Sequence, residues 1–120
     1  MSFDTDQLLR LWNGPLPADD DGALAAFRAV YTDPVTVNGS TVPVSELVVQ
    51  ARAMQRTHEG AERTILDLLE VTDETGRHRL AFAFLVTARH DGEPVKMRGV
   101  DLATVTDGRI SEIWAAAQPA

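Results

Sequence analysis

Three short turn sequences constrain the second half of this chain more than any other feature. Asp73-Glu74-Thr75-Gly76, Asp91-Gly92 and Asp107-Gly108 join an aspartate to a glycine that tolerates positive φ, and each separates runs in which apolar and polar residues alternate. Those runs are Arg63 to Thr72, Arg79 to His90, Val95 to Thr106 and Arg109 to Ala117. Consecutive hairpins of this kind make an antiparallel meander of four long strands.

The first half reads differently. Leu8, Leu9, Leu11 and Trp12 share one broad face of a short helix that Asn13-Gly14-Pro15 stops. Asp19, Asp20 and Asp21 place negative charge at the start of a second helix, Leu24 to Tyr31, where a helix N-terminus favours anions, so the acidic run reads as a cap. Asp33-Pro34 ends it, and Val35-Thr36-Val37 follows as a short strand turned by Asn38-Gly39. A third helix starts with Ser45 as its N-cap, buries Leu47, Val48, Ala51 and Met54, and stops near His58-Glu59-Gly60. The expected fold class is therefore α+β: one domain over residues 1–120, with a curved antiparallel sheet roofed by three N-terminal helices and enclosing a pocket.

Composition narrows the function classes. The formal net charge of −7 and the scattered Lys and Arg residues argue against nucleic acid and anionic membrane surfaces as partners. With no cysteine there is no disulfide, thiolate nucleophile or thiolate-bound metal, and the three histidines are not at metal-ligand spacing, so neither a metal nor a cofactor is expected. The first residues lack a basic segment followed by an apolar stretch, and no apolar run is long enough to span a bilayer, so a cytoplasmic protein is expected.

Side chains alternate faces along a strand, so each strand splits into two rows. Leu80, Phe82, Phe84, Val86 and Ala88 form one row, and a two-residue turn at Asp91-Gly92 aligns it with Val95, Met97, Gly99, Asp101, Ala103 and Val105. Asp101 is the lone acid in an apolar row. If Asp73 to Gly76 is a four-residue loop, Ile65, Asp67, Leu69 and Val71 join the same face and Asp67 becomes a second carboxyl beside Phe82; a one-residue slip sends Asp67 to solvent instead. Burial and a neighbouring carboxylate both disfavour ionisation, which prepares an acid for proton transfer near neutral pH. A three-residue turn ending in Gly108 points Ile113, Ala115 and Ala117 to the pocket and leaves Trp114 outside beside Val100 and Leu102. Such an apolar outer patch suits a homodimer through that sheet face. Tyr31 is placed to hydrogen-bond a ligand carbonyl or Asp101, and His90 to reach the pocket mouth.

Ala81 to Thr87, reading AFAFLVT, and Gly99 to Trp114, reading GVDLATVTDGRISEIW, at this spacing and behind three helices, resemble the NTF2-like superfamily, especially its SnoaL-like polyketide cyclases and ketosteroid isomerases. The resemblance implies a cone-shaped fold and a cofactor-independent cyclase or isomerase that moves a proton α to a carbonyl of an apolar polycyclic or terpenoid-like substrate. It places Asp101 at the acid–base position and the isomerase tyrosine near Trp12; joined to the rows read above, it leads us to expect Tyr31 or Trp12 to steady an enolate and Phe82, Phe84, Val86, Met97, Ala115 and His90 to surround the substrate. The isomerase base at the end of the first strand has no counterpart, because that stretch reads Val37-Asn38-Gly39. A non-catalytic binding protein for an apolar small molecule is the alternative.

Overall fold

The computed structural model describes residues 3–120. Its elements are α1 (Thr5–Asn13), α2 (Asp20–Arg28), β1 (Tyr31–Val37), β2 (Ser40–Val42), α3 (Val44–Thr57), β3 (Glu59–Thr72), β4 (His78–His90), β5 (Glu93–Thr106) and β6 (Arg109–Pro119). The strands form one curved, open sheet in the order β2-β1-β6-β5-β4-β3. Six strands replace the four long and one short expected. The sheet is mixed rather than antiparallel throughout, because β1 returns beside β6 in parallel.

Local chemistry explains the helix ends. Asp4 and Asp19 cap α1 and α2 by accepting from the backbone N–H of Gln7 and Gly22 at 3.0 and 2.7 Å. Helix α2 ends before Tyr31, contrary to expectation, because the Ile110 N–H donates to the Val30 carbonyl at 2.8 Å and draws the chain into the sheet. Tyr31 is thus the first residue of β1 and not the last of a helix. Ser45 does not cap α3 either: Pro43 holds that position, and the Val44 N–H is satisfied by Asp33 Oδ1 at 3.0 Å.

The helices pack on one face of the sheet. Phe27, fully buried, lies among Leu8, Val30, Val35, Val44, Leu80 and Ile110, with Phe82 and Ala103 beneath. Among the described residues no helix is long and apolar enough to cross a membrane.

The meander has the expected strands, but its register is set by features that turn sequences do not announce. Asp91-Gly92 does make a two-residue turn, with both residues at positive φ and His90 paired to Glu93, so Phe82 faces Asp101 across β4 and β5. The loop between β3 and β4 has five residues, since Thr72 pairs with His78. Asp73 fixes its shape by accepting from the backbone N–H of Thr75 and Arg77, both at 2.9 Å. That register puts Asp67 opposite Ala83, and a bulge at Leu66 then shifts the ladder to put Ile65 opposite Phe84. Ile65 and Leu68 turn inward, whereas Asp67, Leu69 and Val71 turn out. The turn at Asp107-Gly108 has two residues, not three, because Thr106 pairs with Arg109; a bulge at Ser111 supplies the missing shift. Asp101 therefore pairs with Ala115 and Leu102 with Trp114, and Trp114 is on the outer face after all.

Gly99 is a close-approach glycine. A Cβ there would collide with the Phe84 ring and sit 2.8 Å from the Ala116 carbonyl oxygen, which is fixed in the sheet ladder. Gly99→Ala is expected to cost about 1–3 kcal/mol of stability, the usual range for overpacking, and to expel the Phe84 ring. Chemical denaturation monitored by circular dichroism checks this, and an unchanged midpoint would show that the sheet gives way instead.

Candidate active site

The concave face of the sheet and the helices form a half-open cavity of about 310 Å³. Its apolar wall includes Val37, Leu47, Phe84, Val86, Met97 and Ile113, and its polar groups are those of Asp101, Tyr31, Trp12, Arg63 and Gln50. A second chamber of about 210 Å³ adjoins it; Trp12, Met54, Arg63 and Val86 border both. The volume of the first stands at the lower end of the roughly 300–1,000 Å³ that small-molecule sites occupy.

Asp101 comes to this cavity from the middle of β5, with its side chain only 3% exposed. Oδ1 has no hydrogen-bond partner among the described residues, and Oδ2 lies 3.7 Å from the Arg63 guanidinium. Burial in apolar surroundings pushes its pKa up from 3.8 to about 6, opposed by the Arg63 charge. The carboxylate is thus the majority form at neutral pH, and its conjugate acid is easily reached.

Tyr31 enters from β1. Its hydroxyl accepts a hydrogen bond from the Trp12 indole N–H at 3.0 Å, leaving its own proton free to be donated. Burial lifts its pKa to about 12, so the phenol stays protonated throughout the ordinary pH range. Phe27 organises the pair, stacked on Tyr31 at 6.0 Å and edge-on to Trp12 at 5.9 Å between ring centres.

Arg63 is the residue that sequence reasoning missed. Its guanidinium sits between the Trp12 and Phe84 rings, 4.7 and 4.4 Å from their centres. Its backbone is clamped by Asn13, whose amide donates to the Arg63 carbonyl at 2.8 Å and accepts from the Arg63 N–H at 2.7 Å. The end of α1 thereby covers the edge strand and fixes Arg63 over the cavity. A signal was present: Arg63 precedes the inward Ile65 by two residues and so belongs to its row.

Of the residues expected at the site, Asp101, Tyr31, Trp12, Phe84, Val86, Met97 and Ala115 line the one cavity. Three do not. Asp67 is exposed on the outer face beyond the Leu66 bulge, accepting from the Leu68 N–H at 3.0 Å, so no second carboxyl accompanies Asp101. Phe82 is buried in the core directly behind the lining. His90 is exposed near the β4–β5 turn, tied to the Thr57 carbonyl at 2.9 Å and tilted against the His58 ring at 5.1 Å, outside the lining of the cavity. The end of β1, where a carboxylate is absent, has a structural task instead: Asn38 Oδ1 accepts from the Ala115 N–H at 2.8 Å, and the Asn38 N–H donates to Ile113.

No protein-family model matches the sequence, and no curated protein matches it. Solved structures do share the fold. IdmH from Streptomyces antibioticus, for which polyketide cyclase activity is proposed, is 16% identical with a TM-score of 0.72, over 95% of this chain and 88% of that one. A proposed SnoaL-like polyketide cyclase from Jannaschia sp. CCS1 is 16% identical with a TM-score of 0.69, over 95% and 84%. A protein from Catenulispora acidiphila with a ketosteroid isomerase-like fold, bound to trimethylamine, is 11% identical with a TM-score of 0.70, over 96% and 86%.

Proposed function

We propose that this chain is a cofactor-independent enzyme of the SnoaL-like type, moving a proton α to a carbonyl in an apolar substrate held in this cavity. The observation that carries this reading is Asp101: a buried carboxyl with one unpartnered oxygen in an apolar chamber, with a pKa of about 6. The fold shared with proposed polyketide cyclases supports the same class. In this reading Asp101 Oδ1 takes the α proton, and the C–H electron pair passes to the carbonyl oxygen as an enolate. Tyr31 donates its free O–H proton in a hydrogen bond to that oxygen, and Trp12 holds the phenol in place. The proton on Asp101 then returns to another carbon, giving an isomer, or to the alkoxide formed when the enolate carbon attacks a second carbonyl, giving a ring. No electron acceptor is required in either case. Replacing Asp101 is the direct test: a variant that still turned over polyketide-derived carbonyl substrates at the full rate would refute the assignment.

We also propose that the protein works as a homodimer. Leu69, Val71, Val100, Leu102 and Trp114 are each at least 41% exposed on the outer sheet face, with Ala81, Ala83 and Ala116 between them. This strip is uncharged at its centre, so two copies can meet there despite a net charge of −7 each. Light scattering at micromolar concentration should give twice the 13.1 kDa chain mass. Trp114→Lys should give the single mass; a monomeric wild type would refute the dimer.

A further inference from the structure

Arg63 presents more donors to the cavity than the protein uses. Its side chain is 20% exposed, and the nearest carboxylate oxygen, 3.7 Å away on Asp101, is beyond hydrogen-bond distance. Among the described residues the guanidinium donates no hydrogen bond. The guanidinium carbon lies over both the Trp12 and Phe84 rings, which hold the group in place without using its N–H donors. Arg63 also borders both chambers, one apolar and the other ringed by Gln55, His58 and Glu62. None of its nitrogens is sealed from solvent without a partner, so a ligand entering the cavity meets an accessible, unused fork.

We infer that Arg63 is the specificity-determining residue of the site and that it selects substrates in which an apolar ring body carries a carboxylate. The inference rests on the reading of the cavity as a substrate site and adds to it the substrate's acidic group. A carboxylate matches the planar fork with two parallel hydrogen bonds, which an amide or ester oxygen cannot do. The chain's acidic field repels anions at long range, so selection of an anion has to come from this local, desolvated cation. Two opposing charges are nearby: Asp101, 3.7 Å from the guanidinium and competing for it, and Glu62, which is exposed and hydrated. The ring body then lies against Phe84, Val86 and Met97, within reach of Asp101 and Tyr31.

The test uses two probes of one shape, 2-naphthoate and 2-naphthamide, titrated calorimetrically into the full chain at pH 7. Wild type should bind the carboxylate about tenfold or more tightly than the amide, as expected for charge-assisted hydrogen bonds. Arg63→Gln should abolish that preference while keeping naphthamide binding, which also shows that the chamber is intact. Arg63→Lys should retain part of it, and Asp101→Asn, which removes the competing carboxylate, should tighten naphthoate binding. Equal or weaker binding of naphthoate by wild type, or a preference that survives in Arg63→Gln, overturns the inference and leaves the acid–base reading standing. Failure of both probes to bind wild type overturns the inference and the substrate-site reading together.

Discussion

Asp101→Asn should lower turnover by about 10²–10⁴-fold, the usual contribution of a positioned general base, while the protein remains folded. The amide keeps the shape of the carboxyl and can neither take nor return the proton. In the wild type, kcat/KM should rise with pH through about 6, where the folded carboxyl ionises, and level off above it. The variant's residual rate should lack that limb.

Stability provides a second reading of the same group. Its folded pKa of about 6 stands above its ordinary 3.8. The folded state therefore binds the proton more tightly than the unfolded state does, so the associated stability is present below about pH 4 and lost as pH rises through about 6. The loss approaches about 3 kcal/mol. Asp33, Glu70 and Asp73, which hydrogen bonds hold below their ordinary values, act in the opposite sense. Only the difference between wild type and Asp101→Asn isolates Asp101. Thermal unfolding at pH 4 and pH 7 should show the variant gaining on the wild type as pH rises, and a constant difference would mean that the carboxyl has an ordinary pKa.

The row that contains Asp101 was legible because one short turn determines it: two residues at Asp91-Gly92 leave a single register for β4 and β5. Bulges hid the rest. Ser111 is an extra residue that shifts β6 by one, so Trp114 faces outward through a two-residue turn, where turn length alone would have sent it to the pocket. Leu66 does the same in β3, and the loop before β4 grows to five residues because Asp73 gathers the N–H groups of both Thr75 and Arg77. The fifth loop residue is what moves Asp67 out of the site, and the Leu66 bulge returns Ile65 to the inward row. Nothing in the period-two pattern marks either bulge, since Leu66 and Ser111 are ordinary strand residues. The parallel pairing of β1 with β6 joins segments more than seventy residues apart, and local patterning carries no information on such a contact. Arg63 was overlooked for another reason: a charged residue at a strand end reads as solvated unless the aromatic rings that will cover it, here Trp12 and Phe84, are known to meet there.

Tyr31→Phe should reduce kcat by about 10²–10³-fold, comparable to removal of one oxyanion-hole donor, with a much smaller change in KM. The phenol is chosen over the indole because the Trp12 N–H is already spent on the Tyr31 oxygen. That bond occupies an acceptor site of the hydroxyl and leaves its proton available to a ligand in the cavity. Because the phenol's pKa of about 12 keeps it protonated, Tyr31 should add no basic limb to the pH–rate profile below about pH 11. Trp12→Phe should cost less than Tyr31→Phe: it leaves the donor in place and removes only what orients it, whereas Phe27, stacked on the tyrosine ring, still restrains the phenol. The order of the two effects is the decisive measurement. Should Trp12→Phe prove the more damaging, the indole would be the group facing the enolate, and the direction of the hydrogen bond between the two rings would have to change when substrate binds.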